Sequence, residues 1–283
     1  MKVLIVGARG QLGAAVVREF RPHADVVALG RADLDITDDA AVRARMAEVA
    51  PHVVVNCAAY NDVDAAQDDP VTALNINAMG VRALGIAAAA LGATLVHYSS
   101  DFVFDGRTDR AYVESDSPNP QSVYAVSKLL GEWFAGDVPR QYVLRVESLF
   151  DRAHEGRRRG SAGTIISRLE AGDEVAVFVD RTVSPTYVVD AAAATRAIVE
   201  RGLPPGLYHC VNSGQCTWWE FAQEAARLLG CPARLKPITL DGLQLPAPRP
   251  KFAALSNQKL AGLGVALPHW TDALRRSLID LVD

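Results

Sequence analysis

Tyr124 and Lys128 stand four residues apart in Tyr124-Ala125-Val126-Ser127-Lys128, a stretch whose pattern predicts a helix, so both side chains share one face. A free tyrosine hydroxyl titrates near about 10, and an ammonium beside it favours the phenolate and draws that value toward neutrality. Such a pair can protonate a carbonyl oxygen as hydride arrives at carbon, or run the reverse oxidation. Ser100, in Tyr98-Ser99-Ser100-Asp101 at the end of a predicted strand, is placed to donate a hydrogen bond to the same oxygen. A seat for the hydride donor comes earlier. Gly7-Ala8-Arg9-Gly10-Gln11-Leu12-Gly13 follows the first predicted strand and opens the first helix. Gly7 permits the tight turn, Gly10 lets backbone approach a pyrophosphate, and Gly13 lets the helix close on the strand. The spacing is G-x-x-G-x-x-G rather than G-x-G-x-x-G. The second predicted strand ends Leu29-Gly30-Arg31, with no acidic residue for a ribose 2′-hydroxyl. Arg31 suits the 2′-phosphate of NADPH, with NADH left open as the alternative. Each feature has an ordinary explanation alone: a helix face, a strand-end turn, a surface loop. Their coincidence points to NAD(P)H-dependent carbonyl chemistry.

The elements that must hold these residues alternate. Apolar runs at Lys2–Val6, Asp25–Leu29, His52–Asn56, Thr94–Tyr98 and Gln141–Val146 read as strands, and Gln11–Phe20, Asp39–Val49, Val71–Leu91 and Val123–Phe134 as helices. Strands apolar throughout and separated by helices indicate an α/β fold, a Rossmann-like doubly wound parallel sheet covered on both faces. Beyond residue 150 the elements shorten and Pro and Gly become frequent. Val175–Val179 and Leu207–Val211 read as strands, and Val188–Glu200, Trp218–Leu229 and Thr271–Val282 as helices. The expected division is an NAD(P)-binding domain over 1–150, rejoined by about 175–202, and a smaller C-terminal α+β substrate-binding lobe of 203–283 with 151–174.

Bulk properties exclude several classes. The chain has 283 residues, 49% apolar and 22% charged, an ordinary globular balance. A net charge of -4 offers no basic face for nucleic acid. Arg157-Arg158-Arg159, between two glycines, reads as a solvated loop. Cys57, Cys210, Cys216 and Cys231 are scattered, matching neither a zinc site nor a disulfide framework, and no metal is expected. The N-terminal apolar run is short for a signal peptide, and the alanine-rich run near Ile86–Leu91 is short for a membrane span, so no membrane partner and a cytoplasmic location are expected. His97 and His209 read as core residues and the Trp218-Trp219 pair as lobe packing, with a ligand contact as the minor reading. The assembly stays open, a homodimer being the commonest oligomer.

These motifs together resemble the extended short-chain dehydrogenases and, within them, the dTDP-4-dehydrorhamnose reductase family, over nearly the whole chain. Gly7–Gly13 is similar to the family's GxxGQLG loop, Asp33–Asp38 to its adenine-side segment, and Asn56–Asp64 to NCAAYTxVD along the cofactor. Ser99–Gly106 resembles STDYVFDG, Tyr124–Glu132 YGxSKxxGE, Asp180–Tyr187 DQxGxPT, and Pro248-Arg249-Pro250 the segment near the bound nucleotide. The resemblance implies Ser100, Tyr124 and Lys128 as the catalytic trio. It implies cofactor contacts from Gly7, Gly10, Gln11, Leu12, Gly13, Asp35, Ile36, Ala58, Ala59 and Asn61, together with Tyr124 and Lys128. It implies a nucleotide-sugar substrate held near Ser100, Asp101, Phe102 and Arg249, the arginine toward its diphosphate. The reaction implied is reduction of the C4 ketone of a dTDP-linked 6-deoxy-hexose.

Three departures bear on the substrate. Ser100 replaces the family's threonine and keeps its hydroxyl. Phe102 replaces a tyrosine. The family pattern RTSWVY becomes Arg145-Val146-Glu147-Ser148-Leu149-Phe150, which removes the tryptophan of the sugar pocket. Phenylalanine at 102 also argues against a 4,6-dehydratase, whose Asp-Glu pair moves a proton. An NAD-dependent sugar-nucleotide epimerase, and a non-catalytic NADP-binding regulatory subunit of the same fold, remain as alternatives.

Overall fold

Lys2–Val6 is apolar but for its first residue and lies inside a six-stranded sheet, one place in from its edge. It pairs in parallel with Asp25–Leu29 on one side and Val53–Asn56 on the other. Thr94–Ser100, Gln141–Val146 and Gly206–His209 continue the sheet outward in that order, all parallel. Because the chain leaves the first strand in both directions, a crevice opens at the C-terminal edge of the sheet. The computed structural model describes residues 1–151 and 160–279; Arg157-Arg158-Arg159 and the end of the expected helix Thr271–Val282 lie outside them.

The helices cover both faces, as two buried sets of side chains demand. Gln11–Phe20 and Val188–Arg201 pack on one face through Val16, Phe20, Ala191 and Ile198. Asp39–Val49, Gly80–Ala90 and Val123–Gly136 cover the other through Val42, Met46, Leu84 and Ala135. Local chemistry sets their starts. Asp38 accepts the Ala40 and Ala41 N–H groups, Ser122 accepts that of Ala125, and Thr217 with Glu220 forms a capping box for Trp218–Leu229.

Two expectations change. The long helix is not uniform: Pro70–Leu74 and Gly80–Ala90 are joined through a π-turn at Asn75–Met79. Pro70–Ala90 is nevertheless 21 residues of continuous helix, long and apolar enough by composition to cross a membrane, with 56% of its apolar window buried in the fold. The lobe boundary also moves. Val175–Phe178 pairs with Leu235–Ile238, outside the main sheet, whereas Gly206–His209 is the sheet's sixth strand. Of the expected 175–202 return, only the helix Val188–Arg201 packs on the sheet. The lobe has its own core, built from Phe150, Ile166, Val177, Phe221 and Leu274.

Candidate active site

The glycine loop leaves no space for a side chain at Gly7 or Gly13. Gly7 has φ +74, and a Cβ there would lie 2.5 Å from the Ala58 nitrogen; one on Gly13 would lie 2.2 Å from the Gly7 oxygen. Gly10 caps Gln11–Phe20 without any side-chain hydrogen bond, which leaves the first N–H groups facing the crevice. An unfilled cradle at a helix start fits a pyrophosphate.

A cleft of about 620 Å³ runs from this loop to the lobe. Gly10, Gln11, Leu12 and Gly13 line one end, Ala58, Ala59 and Asn61 the middle, and Ser100, Asp101, Phe102, Tyr124, Lys128 and Arg249 the rest. The sequence-derived site is thus one cavity, with four exceptions. Gly7 lies beneath it, serving the turn. Ile36 is buried with its side chain against Gly80, in the core. Asp35 and Arg31 lie in a separate hollow near Arg45. The Asp35 carboxylate accepts the Thr37 N–H and hydroxyl, and these bonds hold it below the usual carboxylate range.

The trio is built from two elements. Ser100 ends the fourth strand; Tyr124 and Lys128 lie in the first turns of Val123–Gly136. The Lys128 ammonium donates to the Tyr98 carbonyl at 2.6 Å, and burial lowers its pKa to about 8. Burial dominates at Tyr124, pushing its hydroxyl well above the usual range, while the hydrogen-bonded Ser100 pulls it down. This corrects the expectation that Lys128 draws Tyr124 toward neutrality: desolvation of the phenolate dominates, and Lys128 is not among the groups that lower it. Tyr124 therefore stands protonated, the form that gives a proton away. Phe102 meets its ring edge-on, centroids 5.5 Å apart.

Sequence reading gave no role to Asn77, in the π-turn. It is fully buried, accepts the Tyr60 N–H at 2.8 Å, and donates to the Tyr60 carbonyl at 3.0 Å and the Ser127 hydroxyl at 2.9 Å. The Ser127 hydroxyl in turn donates to the Tyr124 carbonyl at 2.7 Å. One amide thus ties the loop at Tyr60 to the helix bearing Tyr124 and Lys128. A polar residue within an alanine-rich helix was the available signal. Asn77→Ala is expected to cost about 1–3 kcal/mol by stranding these groups, read by urea unfolding, and to lower kcat more than it raises KM.

Three further side chains complete the cleft. Arg249 donates to the Asp64 carboxylate at 2.7 Å and to the Ala247 carbonyl, so its fork is already engaged across the mouth. Ser148, where a tryptophan was expected, lines the cleft at φ +47. Trp218 lines it too, packing edge-on against Phe221 at 5.4 Å with its Nε1 buried and unpartnered. It therefore serves lobe and cleft together. His97 and His209 are buried, and burial drives both below the usual histidine range. All four cysteines are free thiols. Among the described residues no three His, Cys, Asp or Glu side chains converge to hold a metal.

A family model described as the RmlD substrate binding domain matches residues 1–282. The chain belongs to that family. It is 38% identical to the dTDP-4-dehydrorhamnose reductase of Streptomyces griseus over 97% of its length and 92% of the relative's. It is 37% identical to a probable dTDP-4,6-dihydroxy-2-methyloxan-3-one 4-ketoreductase of Streptomyces antibioticus, over 100% and 96%. Among solved structures, the dTDP-4-dehydrorhamnose reductase of Bacillus anthracis in complex with NADP superposes with a TM-score of 0.93 at 31% identity, covering 99% of each chain. The shared RmlD fold is the Rossmann-like parallel sheet described above.

Proposed function

We propose that this chain reduces the C4 ketone of a dTDP-linked 6-deoxy-4-keto-hexose with NADPH. The observation that carries the reading is the single cleft in which the glycine-loop helix start and the Ser100, Tyr124 and Lys128 trio meet. The names of the two reductases and the NADP-bound neighbour support it. A cytoplasmic location accords with it.

Gly10–Gly13 would hold the pyrophosphate of the dinucleotide, and Ala58, Ala59 and Asn61 would border its nicotinamide half. When bound, NADPH supplies the hydride. The chain's own residues supply the proton and the field. Tyr124, kept protonated by burial, gives its proton to the ketone oxygen. The Ser100 hydroxyl then stabilises the phenolate left behind, and Lys128 keeps a cation beneath the site. Ser148 and Phe102 leave the sugar end roomier than a tryptophan–tyrosine pair and without the tyrosine hydroxyl, so a wider range of keto-sugars is expected to fit.

The test follows NADPH absorbance as purified protein meets enzymatically generated dTDP-4-keto-6-deoxy-L-hexose. Oxidation that requires both the sugar and Tyr124 supports the reading. Dinucleotide binding without oxidation by any keto-sugar tried would turn it toward an epimerase or a non-catalytic partner.

For cofactor choice, Arg9 joins Arg31. Its side chain lies against Gly30 and pairs with Asp33 at 3.5 Å, at the end of the second strand. Arg9→Ala and Arg31→Ala are each expected to raise KM for NADPH about tenfold, the worth of one charge-assisted phosphate contact, and to leave NADH unchanged. Equal effects on both coenzymes would remove these arginines from 2′-phosphate recognition.

A further inference from the structure

Two arginines line the cleft, and the protein holds them in opposite ways. Both terminal nitrogens of Arg249 are taken: Nη1 donates to the Ala247 carbonyl at 2.6 Å and Nη2 to the Asp64 carboxylate at 2.7 Å. The other Asp64 oxygen accepts the Ala247 N–H, which locks this arginine across the mouth. Arg181 is deeper, 8% exposed, and only its Nε is engaged, donating to the Pro250 carbonyl at 3.2 Å. Among the described residues nothing accepts from its Nη1 or Nη2, and no carboxylate forms an ion pair with it. The Asp101 and Glu147 carboxyls act on it only from a distance.

A guanidinium stays charged at any working pH, and a buried charge without a close partner is costly. Neither terminal nitrogen is sealed in the core, so the fork opens onto the cleft that Arg181 lines. Backbone bonds on either side hold it there. The Arg181 carbonyl accepts the Trp218 N–H at 3.3 Å, and the next N–H, that of Thr182, donates to the Lys251 carbonyl at 2.8 Å. This is a built and open donor pair.

Its neighbours say how far the fork stands from the reacting atoms. The Arg181 Cζ lies 5.6 Å from the centre of the Phe102 ring, and that ring meets the Tyr124 ring 5.5 Å away. One six-membered ring thus separates the fork from the acid. In a hexopyranose one six-membered ring likewise separates C4, the ketone, from C1, which carries the diphosphate. Two parallel N–H groups fit two oxygens of a phosphate. We propose that Arg181 grips the sugar-linked phosphate of the substrate, the role that the sequence suggested for Arg249. The motif DQxGxPT, which this stretch resembles, has an uncharged glutamine where the chain has Arg181.

The inference deepens the reductase reading, since it takes the substrate to be a nucleotide sugar, and dTDP alone tests it without turnover. In titration calorimetry of the NADPH-loaded protein, Arg181→Gln is expected to weaken dTDP about ten- to a hundredfold, the loss of one or two charged hydrogen bonds. Arg249→Gln should weaken it far less, by about threefold at most. NADPH affinity, set at the other end of the cleft, should be unchanged in both, which shows that the fold survives. With a keto-sugar, Arg181→Gln should raise KM by the same factor as for dTDP and leave kcat near wild type, because the phosphate is held equally before and during reaction. Should Arg181→Gln fail to fold, Arg181→Lys keeps the charge without the fork and should still weaken dTDP about tenfold. Unchanged dTDP affinity with a raised KM would put the fork on the sugar itself and overturn the proposal. So would a larger loss from Arg249→Gln than from Arg181→Gln, or a wild type that binds neither dTDP, UDP nor inorganic pyrophosphate. Failure of the reductase reading looks different: dTDP binds through Arg181, yet no keto-sugar oxidises NADPH.

Discussion

Tyr124→Phe is expected to lower kcat about 10²–10⁴-fold, the span that a positioned acid contributes to carbonyl reduction. The ring remains, and so does its edge-on contact with Phe102, so the fold and KM should hardly change. Only the proton is lost. Because burial keeps the wild-type hydroxyl protonated well past neutrality, no loss of rate in the alkaline range up to about pH 9 should come from Tyr124 itself. The measurement is steady-state NADPH oxidation with both proteins at several pH values. Turnover like wild type in the variant would remove Tyr124 as the acid.

The second large effect concerns stability. Arg145, on the fifth strand, grips Glu132 on the helix Val123–Gly136 with two parallel bonds of 2.8 and 2.7 Å, and both side chains are buried. The guanidinium also lies 4.8 Å from the centre of the Phe104 ring. Removing one partner leaves the other charge buried and unpaired, which costs about 3–5 kcal/mol, whereas removing both and filling the space with carbon costs far less. Arg145→Met is therefore expected to destabilise the fold by about that amount in urea unfolding, and Arg145→Met with Glu132→Leu to recover most of it. The Glu132 charge also raises the Lys128 pKa against burial, so the double variant should lower that pKa further. Equal stability of the single and double variants would mean that Glu132 finds another donor.

Much of this architecture could be read before any coordinates. The glycine loop, the first two strands and the helix bearing Tyr124 fall where period and punctuation put them, because each is decided by neighbours in sequence. What escaped depends on distant partners. Arg249 looked like a free phosphate fork, yet Asp64, 185 residues away, holds it. Asn77 gave no sign of the loop it would clamp, since Tyr60 and Ser127 reach it only through the fold. Lys128 lies one helical turn from Tyr124 as expected, but the depth of burial that raises the Tyr124 hydroxyl is a property of the packed core. The strand Gly206–His209 carries no mark that says which sheet it will join.

That strand has a consequence for how such a protein can change. It closes the edge of the sheet beside Gln141–Val146, after the chain has already built part of the lobe, and the chain later returns to the sheet face again at Leu260 and Val265. A gene cut near residue 150 would release a five-stranded sheet with an open, hydrogen-bond-hungry flank, and a remainder without its support. The two halves cannot be exchanged by a single recombination event. New sugar specificities must then arise by substitution in place, at positions such as Phe102 and Ser148, rather than by borrowing a lobe.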